Sequence, residues 1–178
     1  MTRTAVGTES QWFERNELDY LRRRLPILYV DVIPVRVDAA GIITDVGLLL
    51  RADGEGRIVR SIVSGRVLVN EPLRDAITRH VEKDLGSMSF PRIPTAIVPM
   101  TVAEYFPNDE RALFRDPRQH AVSMVYVVPV EGECEPQRDS LEFAWYSVDE
   151  LKTGRGIEDM EPGHAILVKR ALAASNLI

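Results

Sequence analysis

The chain has one cysteine, Cys134, among its 178 residues. A single cysteine cannot form an intramolecular disulfide, which is typical of a protein from a reducing compartment. No neighbouring base is apparent that would activate its thiol, so we interpret it as an incidental loop residue. Residues 1–10 also lack the apolar core of a signal peptide. We therefore expect a cytoplasmic protein that needs no disulfide to fold.

Long apolar runs and clusters of basic residues are missing as well. The longest apolar run is broken by Arg36 and Asp38, and it is far shorter than a bilayer requires. The chain carries 22 Lys and Arg against 27 Asp and Glu, and its net charge is −5. Because non-specific binding to nucleic acid depends on clustered basic residues, we expect neither a nucleic-acid partner nor a membrane partner. A small anionic ligand held by a few arginines stays open.

The sequence does contain several β-branched runs, which are separated by short turns rich in Asp and Gly. These runs predict strands over residues 27–37, 42–50, 57–63, 95–106, 120–130 and 141–146. Helices are predicted over residues 8–25, from residue 70 or 71 to 86, over 147–151, and from 162 onward. Strands outnumber what alternating βαβ units would supply. We therefore predict one α/β (α+β) domain with a mixed sheet over residues 26–178, preceded by a helical extension over residues 1–25.

The clearest helix of the chain follows a glycine loop at Gly65. Asn70 or Glu71 can cap this helix, Pro72 suits its first position, and Gly86 is its expected end. The apolar residues of one helix face are Leu73, Ala76, Ile77 and Val81. The pattern therefore predicts a helix that packs one face against the sheet.

Asp84 is the first candidate functional residue. It lies in the last turn of this helix and within the arc of the apolar face. A carboxylate is unfavourable there, because it points toward the interior and lies at the negative end of the helix dipole. We therefore expect a cationic group to meet it.

The spacing of residues 65–86 resembles a Nudix box, whose pattern is Gly, five residues, Glu, seven residues, Arg-Glu-hydrophobic-any-Glu-Glu-any-Gly. The matching residues are Gly65, Glu71, Arg79, Val81 and Gly86, with Asp84 in place of the last glutamate. His80 and Lys83 stand where the first two catalytic glutamates of the family belong. Residues 141–151 resemble the Trp-containing segment that closes Nudix domains, and residues 120–126 resemble the strand before it. The resemblance implies an α/β/α sandwich with a mixed β-sheet.

One branch of this family, the GDP-mannose mannosyl hydrolases, lacks the same two glutamates. The resemblance to that branch implies a homodimeric hydrolase of a nucleoside diphosphate derivative, most like a nucleotide-sugar, that depends on Mg²⁺ or Mn²⁺. The implied metal ligands are Asp84, the carbonyl oxygen of Ser64, and Asp139. The implied diphosphate-binding residues are Arg51, Arg66 and Arg79, with Glu71 as a further substrate-binding candidate.

The surviving residues favour stabilisation of a leaving group over activation of water. Mg²⁺ accepts one or two carboxylates and completes its shell with waters and substrate phosphates, whereas two-metal activation of water requires more anionic ligands. Breaking a glycosidic bond also requires a base or nucleophile near the sugar. The histidine base of the resembling branch aligns with Ser140 here. The candidates that stay open for this role are Asp139, Glu142 and His120.

Several candidates also have a purely structural interpretation. Arg79 has Asp75 and Glu82 within reach on the helix surface. His80 lies beside the apolar arc, which is typical of a packed or hydrogen-bonded histidine. His164 follows the start of the last helix, and we interpret it as a surface residue.

Two rival functions remain beside a nucleotide-sugar hydrolase. The first is a Nudix-fold nucleotide-binding or regulatory domain that has lost catalysis, because the ammonium group of Lys83 at the position of a metal ligand repels a cation. The second is a conventional Nudix enzyme that cleaves a phosphoanhydride with substitute metal ligands from Glu82 or Glu104.

Overall fold

The computed structural model describes residues 13–53, 55–108, 111–137 and 140–175. Its helices are α1 (Arg15–Arg22), α2 (Leu73–Leu85), α3 (Val148–Lys152) and α4 (Pro162–Ala174). Its strands are β1 (Ile27–Val37), β2 (Ile43–Ala52), β3 (Ile58–Ser61), β4 (Val63–Arg66), β5 (Thr101–Phe106), β6 (Phe114–Arg115), β7 (Ala121–Pro129) and β8 (Ser140–Ser147). Within these ranges, no helix is both long enough and apolar enough to cross a membrane.

The described strands form one mixed sheet in the order β3-β2-β1-β7-β5-β6, and β4 pairs with β1 while β8 pairs with β2. Strands β1 and β7 run parallel, from the pair Ile27 and Ala121 to the pair Val35 and Pro129. Strand β1 pairs antiparallel with β2 and β4, and β7 pairs antiparallel with β5. The predicted mixed sheet is therefore confirmed, and the strand predicted over residues 120–130 lies at its centre as β7.

Helices cover both faces of the sheet. Side chains alternate between the two faces along a strand, so neighbouring residues of β1 enter different cores. The core under α2 includes Val30, Val32, Val63, Ile77 and Val81. The core under α4 includes Ile33, Val35, Ile62, Leu167 and Leu172. The two cores on one sheet make the molecule an α/β/α sandwich.

Two of the strand predictions need correction. The strand predicted over residues 57–63 is divided at Ile62 into the end-to-end strands β3 and β4. The strand predicted over residues 95–106 is confined to β5, and residues 95–100 form no strand. Pro94 and Pro99 account for this difference, because proline has no N–H group to donate to a strand ladder. The strand predicted over residues 141–146 is confirmed as β8, which is one residue longer at each end and pairs along β2.

The described part of the N-terminal helix is shorter than the predicted one. Helix α1 begins after Glu14, whose backbone N–H donates to the side chain of Glu17 over 2.9 Å. The predicted residues 8–12 lie outside the described residues. Near the end of α1, Nε of Arg22 donates to Oε1 of Gln119 over 2.9 Å. This bond ties α1 to the loop that precedes β7.

Candidate functional site

Gly65 lies in strand β4 and not in the predicted loop. Strand β4 pairs antiparallel with β1, which places Gly65 opposite Val30 on the sheet face that α2 covers. A Cβ atom at this position would lie only 1.8 Å from Cε1 of His80. The strand therefore requires glycine here, because the helix side chain packs directly on its backbone.

His80 occupies the place of the first glutamate of the box. Its side chain is buried, its Nε2 lies 2.9 Å from the carbonyl oxygen of Arg66, and its Nδ1 has no partner among the described residues. Burial is the main cause that lowers the pKa of His80, and the positive charges of Arg79 and Lys83 lower it further. A neutral imidazole that donates from Nε2 to the Arg66 carbonyl fits these facts. The interpretation of His80 as a packed, hydrogen-bonded histidine is therefore confirmed.

An ion pair between Glu71 and Arg79 joins the loop before α2 to the helix itself. Nε of Arg79 donates to Oε1 of Glu71 over 2.6 Å, and Nη2 donates to Oε2 over 2.7 Å. The same Nη2 also donates to the carbonyl oxygen of Arg66 over 2.9 Å. The hydrogen bond from Arg79 is the main cause that lowers the pKa of Glu71. Arg79 therefore pairs with Glu71, and the predicted pairing with Asp75 and Glu82 is not the one that forms.

Glu71 does not cap α2. Its Oε2 accepts the backbone N–H of Leu68 over 2.8 Å, and Pro72 is the N-cap residue with no side-chain hydrogen bond of its own. The helix ends as predicted at Gly86, whose φ of 88° suits glycine. The carboxylate of Glu71 thus holds the loop in front of α2 in place.

Asp84 meets a cationic group, as the sequence predicts. Its side chain is buried, with 4% of the residue exposed, and Nζ of Lys83 lies 3.0 Å from its Oδ1. Its Oδ2 is buried and has no hydrogen-bond partner among the described residues. The loop before β8 covers this end of α2, because Gln137 N–H donates to the Asp84 carbonyl over 3.3 Å. Asp84 therefore offers one unused carboxylate oxygen beside an ammonium group.

Arg66 belongs to a group of arginines at the end of the sheet where β1 and β7 begin. It lies opposite Tyr29 in the β1–β4 ladder, on the sheet face away from α2. Burial is the main cause that lowers the pKa of Arg66, and the positive charges of Arg22 and Arg79 add to this effect. Three guanidinium groups therefore act on one region of this sheet end.

Ser64 points to the same sheet face as Arg66. Its hydroxyl donates to Oδ1 of Asp31 over 2.6 Å, and the hydroxyl of Tyr105 donates to Oδ2 of Asp31 over 2.9 Å. Burial and the charge of Asp31 raise the pKa of Tyr105. The side chain of Ser64 is therefore committed to a buried hydrogen-bond network, and the predicted metal ligand of this residue is its carbonyl oxygen.

Arg51 lies near the start of α4. Its Nη2 donates to the carbonyl oxygen of Ile62 over 3.4 Å. Burial acts to raise the pKa of Glu161, but His164 and Arg51 outweigh this effect and lower it. His164 is buried, with its Nδ1 2.8 Å from Glu161, so its interpretation as a surface residue is wrong. The reason is that α4 begins against the sheet and turns His164 inward.

His120 lies apart from the box, at the start of β7. Its ring stacks on Phe106, with 4.7 Å between ring centroids and 25° between planes. Its Nε2 is buried and has no partner among the described residues. It lines a cavity of about 500 Å³ together with Arg22, Arg23, Pro107, Asn108, Pro117, Arg118 and Gln119.

A family model described as a domain of unknown function, DUF4916, matches residues 8–177. The chain belongs to the DUF4916 family. A comparison with the curated proteins finds no significant match to it.

Solved structures place the DUF4916 protein among Nudix folds. A possible asymmetric diadenosine tetraphosphate hydrolase from Jonesia denitrificans is 48% identical, with a TM-score of 0.82, and the match covers 87% of this chain and 98% of that one. A Nudix-family hydrolase from Clostridium perfringens is 17% identical, with a TM-score of 0.59 and coverage of 84% and 98%. The Nudix domain of NrtR from Shewanella oneidensis, solved with ADP ribose, is 15% identical, with a TM-score of 0.56 and coverage of 91% and 93%. The last two likenesses concern the fold alone, and the predicted Nudix-like fold is confirmed.

The DUF4916 protein keeps one carboxylate where a divalent metal of the Nudix box would bind. The orphaned Oδ2 of Asp84 fits one oxygen-preferring cation. The neutral imidazole of His80 and the ammonium group of Lys83 do not fit a cluster of carboxylate-bound ions. Among the described residues, no group of three or more His, Cys, Asp or Glu side chains is arranged to hold a metal. Asp84 is therefore a candidate ligand for one oxygen-preferring cation, and the described side chains around it do not complete a metal site.

The structure brings together only part of the predicted site of the DUF4916 protein. Arg66, Arg79 and Glu71 lie in one hydrogen-bonded group with His80, whereas His120 lines a separate cavity. Asp139 lies outside the described residues. Sequence reasoning missed two pairs of polar side chains, Tyr105 with Asp31 and His164 with Glu161. Their only signal was a charged residue in the middle of a strongly apolar strand, at Asp31.

Proposed function

We propose that this chain is a Nudix-type hydrolase of a nucleoside diphosphate derivative. The observation that carries the proposal is Asp84, whose Oδ2 is buried and without a partner among the described residues at the end of the box helix. The Nudix fold supports it, and so does the 48% identity to the Jonesia denitrificans protein, which is described as a possible asymmetric diadenosine tetraphosphate hydrolase.

In this proposal the arginines bind the diphosphate. The planar fork of a guanidinium matches two phosphate oxygens, and Nη2 of Arg79 reaches the backbone of Arg66, where it donates to the carbonyl oxygen over 2.9 Å. Glu71 holds the guanidinium of Arg79 in a fixed plane through two hydrogen bonds. Arg51 is the candidate for a further phosphate contact, from the side of α4.

One divalent ion, Mg²⁺ or Mn²⁺, belongs to the proposal. Asp84 would hold it, with the Ser64 carbonyl and Asp139 as the further ligands that the resemblance implies. When bound, such an ion neutralises charge that grows on a departing diphosphate. This role requires fewer anionic ligands than the activation of water and therefore suits a box with one carboxylate.

The finer proposal is that the substrate is a nucleotide-sugar and that the chain acts as a homodimer. The base near the sugar would come from Asp139, Glu142 or His120. Glu142 is exposed and forms an ion pair with Arg60 at 3.3 Å, so it would have to exchange this partner to act as a base. Detection of nucleoside diphosphate plus free sugar among the products separates this reaction from phosphoanhydride cleavage.

The test is hydrolysis of a panel of nucleotide-sugars and dinucleoside polyphosphates with Mg²⁺ or Mn²⁺. We expect Asp84→Ala to lose at least tenfold in kcat/KM, because it removes the one carboxylate at the metal position. Asp75→Ala is the matched control, since it deletes an exposed carboxylate from the same helix and should leave the rate within twofold. Equal inactivity of wild type and Asp84→Ala on every substrate would refute the hydrolase.

A second candidate is a Nudix-fold nucleotide-binding domain without catalysis. It is favoured by the contact of Lys83 with Asp84 at 3.0 Å and by the packing of His80 on Gly65. In this case a nucleoside diphosphate raises Tm equally with Mg²⁺ and with EDTA, and no product forms. A Tm increase that requires the metal, together with turnover, removes this candidate.

A further inference from the structure

The cavity beside His120 is lined mainly by cationic and polar side chains. Its volume of about 500 Å³ lies in the range of small-molecule sites. Its lining includes Arg22 and Arg23 from the end of α1, and Arg118 and His120 from the segment before β7. Among the described residues that line it, none is acidic. The chain as a whole is acidic, with a net charge of −5, so this lining differs from the rest of the molecule.

Partly buried hydrogen bonds orient two of the guanidinium groups around this cavity. Gln119 is 1% exposed, accepts from Arg22, and donates to Oδ2 of Asp116 over 2.9 Å. Arg118 donates to both carboxylate oxygens of Asp116, over 2.8 and 2.9 Å. Arg22 donates from Nη1 to Asp19 over 3.1 Å. These carboxylates offset part of the positive charge, but they also hold two guanidinium planes at the cavity wall, which reduces the entropy lost on binding an anion.

The side chains of Arg23 and His120 have hydrogen-bonding groups that take no part in the bonds described above. Arg23 is exposed, and no ion pair of its side chain occurs within the described part of the chain. His120 lines the cavity, and its Nε2 atom is buried and lacks a partner within the same residues. A buried imidazole nitrogen without a partner is unfavourable, and an oxygen of a bound group would satisfy it.

A hydrogen bond joins the lining of the cavity to β1, the strand that pairs with β4 of the box. Gln119 donates to the hydroxyl of Tyr29 over 2.8 Å, and Tyr29 lies opposite Arg66 in the β1–β4 ladder. The cavity therefore adjoins the end of β4 at which Arg66 lies.

We propose that this cavity binds a phosphate group, through Arg22, Arg23, Arg118 and His120. The phosphate has two chemical sources. It is either the far phosphate of a polyphosphate substrate whose other end lies at the box, or a free phosphate compound that occupies the cavity alone. The anion site itself does not require hydrolysis, whereas the first source rests on the proposed function.

Binding of inorganic pyrophosphate, measured by calorimetry at low ionic strength, tests the site. We expect Arg23→Glu to weaken pyrophosphate binding at least tenfold. We expect His120→Phe to weaken it severalfold, because phenylalanine keeps the ring that stacks on Phe106 but has no nitrogen. Arg24→Glu is the matched control, because it makes the same charge change one residue away and outside the cavity lining. Its affinity should stay within twofold of wild type. Equal affinity of wild type and Arg23→Glu, or equal losses in Arg23→Glu and Arg24→Glu, would overturn the proposal.

Two further arms separate this proposal from the hydrolase and separate the sources of the phosphate. Both proposals stand if Asp84→Ala abolishes turnover and Arg23→Glu still weakens pyrophosphate binding. Only the cavity proposal stands if the wild type turns over no substrate and Arg23→Glu still weakens pyrophosphate binding. A KM for dinucleoside polyphosphates that rises in Arg23→Glu, with kcat retained, identifies the far phosphate of the substrate. An unchanged KM together with Arg23-dependent binding of free pyrophosphate identifies a separate compound.

Discussion

Two positions of α2 carry a nitrogen-containing group where the Nudix box has a carboxylate. Position 80 carries the imidazole of His80, and position 83 carries the ammonium group of Lys83. The imidazole of His80 fills the space over Gly65, where a Cβ atom would overlap its ring. The ammonium group of Lys83 lies 3.0 Å from Oδ1 of Asp84 and neutralises part of its charge. If Asp84 holds a divalent ion as proposed, both replacements weaken the attraction for that ion, because neither side chain is an anionic ligand and Lys83 adds a positive charge.

Restoring the two glutamates should therefore restore metal affinity. We expect the double variant His80→Glu and Lys83→Glu to bind Mn²⁺ at least tenfold more tightly than wild type, as measured by calorimetry or by the electron paramagnetic resonance signal of free Mn²⁺.

The matched control for this experiment is the double variant Arg74→Glu and Thr78→Glu. It changes the charge of α2 by the same amount, at positions four residues apart that lie outside the buried arc of the helix. Its Mn²⁺ affinity should stay near that of wild type. If the control gains as much affinity as the box variant, general charge explains the effect and the assignment of the metal position is wrong.

At the scale of elements, α2 is held at its start by a side chain that precedes it. Glu71 bridges the backbone N–H of Leu68 and the guanidinium of Arg79, so the loop, the strand end at Arg66 and the second turn of the helix form one unit. Charge-assisted hydrogen bonds of this kind contribute about 1.5–3 kcal/mol each when partly buried. The unit replaces the side-chain cap that α2 lacks.

The pH dependence of stability tests this unit. The folded-state pKa of Glu71 lies below its ordinary value of 4.5, chiefly because Arg79 donates to it. Its contribution is therefore present above about pH 4.5 and is lost as the pH falls through the lower folded-state value. We expect Glu71→Gln to lower the free energy of unfolding by about 1–3 kcal/mol at pH 7, and we expect this difference to shrink toward pH 3.

Chemical denaturation at a series of pH values measures that difference. Asp75→Asn serves as the control, because Asp75 is an exposed carboxylate of the first turn of α2. It should change stability by about 0.5 kcal/mol or less. A difference for Glu71→Gln that stays constant from pH 7 to pH 3 would contradict the role of its charge.

Sequence patterns predict α2 well and its contacts poorly. Gly86 and the apolar spacing of Ala76, Ile77 and Val81 define the helix locally, and the structure confirms them, whereas Pro72, predicted at the first helical position, is the N-cap residue. The contact between Lys83 and Asp84 is not predictable from spacing, since adjacent residues on a helix do not face each other. The long-range bond from Tyr105 to Asp31 joins residues 74 positions apart and depends on how β1, β7 and β5 are ordered in the sheet.

At the scale of the whole molecule, one sheet serves two separate cores. Ile77 of α2 and Leu167 of α4 are both fully buried, but they lie in different cores on opposite faces. The strands β1 and β7 contribute side chains to both cores, as Val30 and Ile33 illustrate. A shared central sheet should make loss of either helix layer destabilise the whole domain, so we expect one cooperative unfolding transition.

Paired truncations test this expectation. Ile77→Ala and Leu167→Ala should each lower the free energy of unfolding by about 2–5 kcal/mol, because each leaves a cavity in a close-packed core. The double variant should lose about the sum of the two, within about 0.5 kcal/mol, since a sheet separates the sites and they share no direct partner. Leu141→Ala is the control at an exposed position of β8. Leu141 is 65% exposed, so this variant should lower the free energy of unfolding only slightly. Tryptophan fluorescence and far-ultraviolet circular dichroism should report the same midpoint for every variant. Separate midpoints would show that the two layers unfold independently, in which case the sheet does not couple the box helix α2 to the α4 side where Arg51 lies.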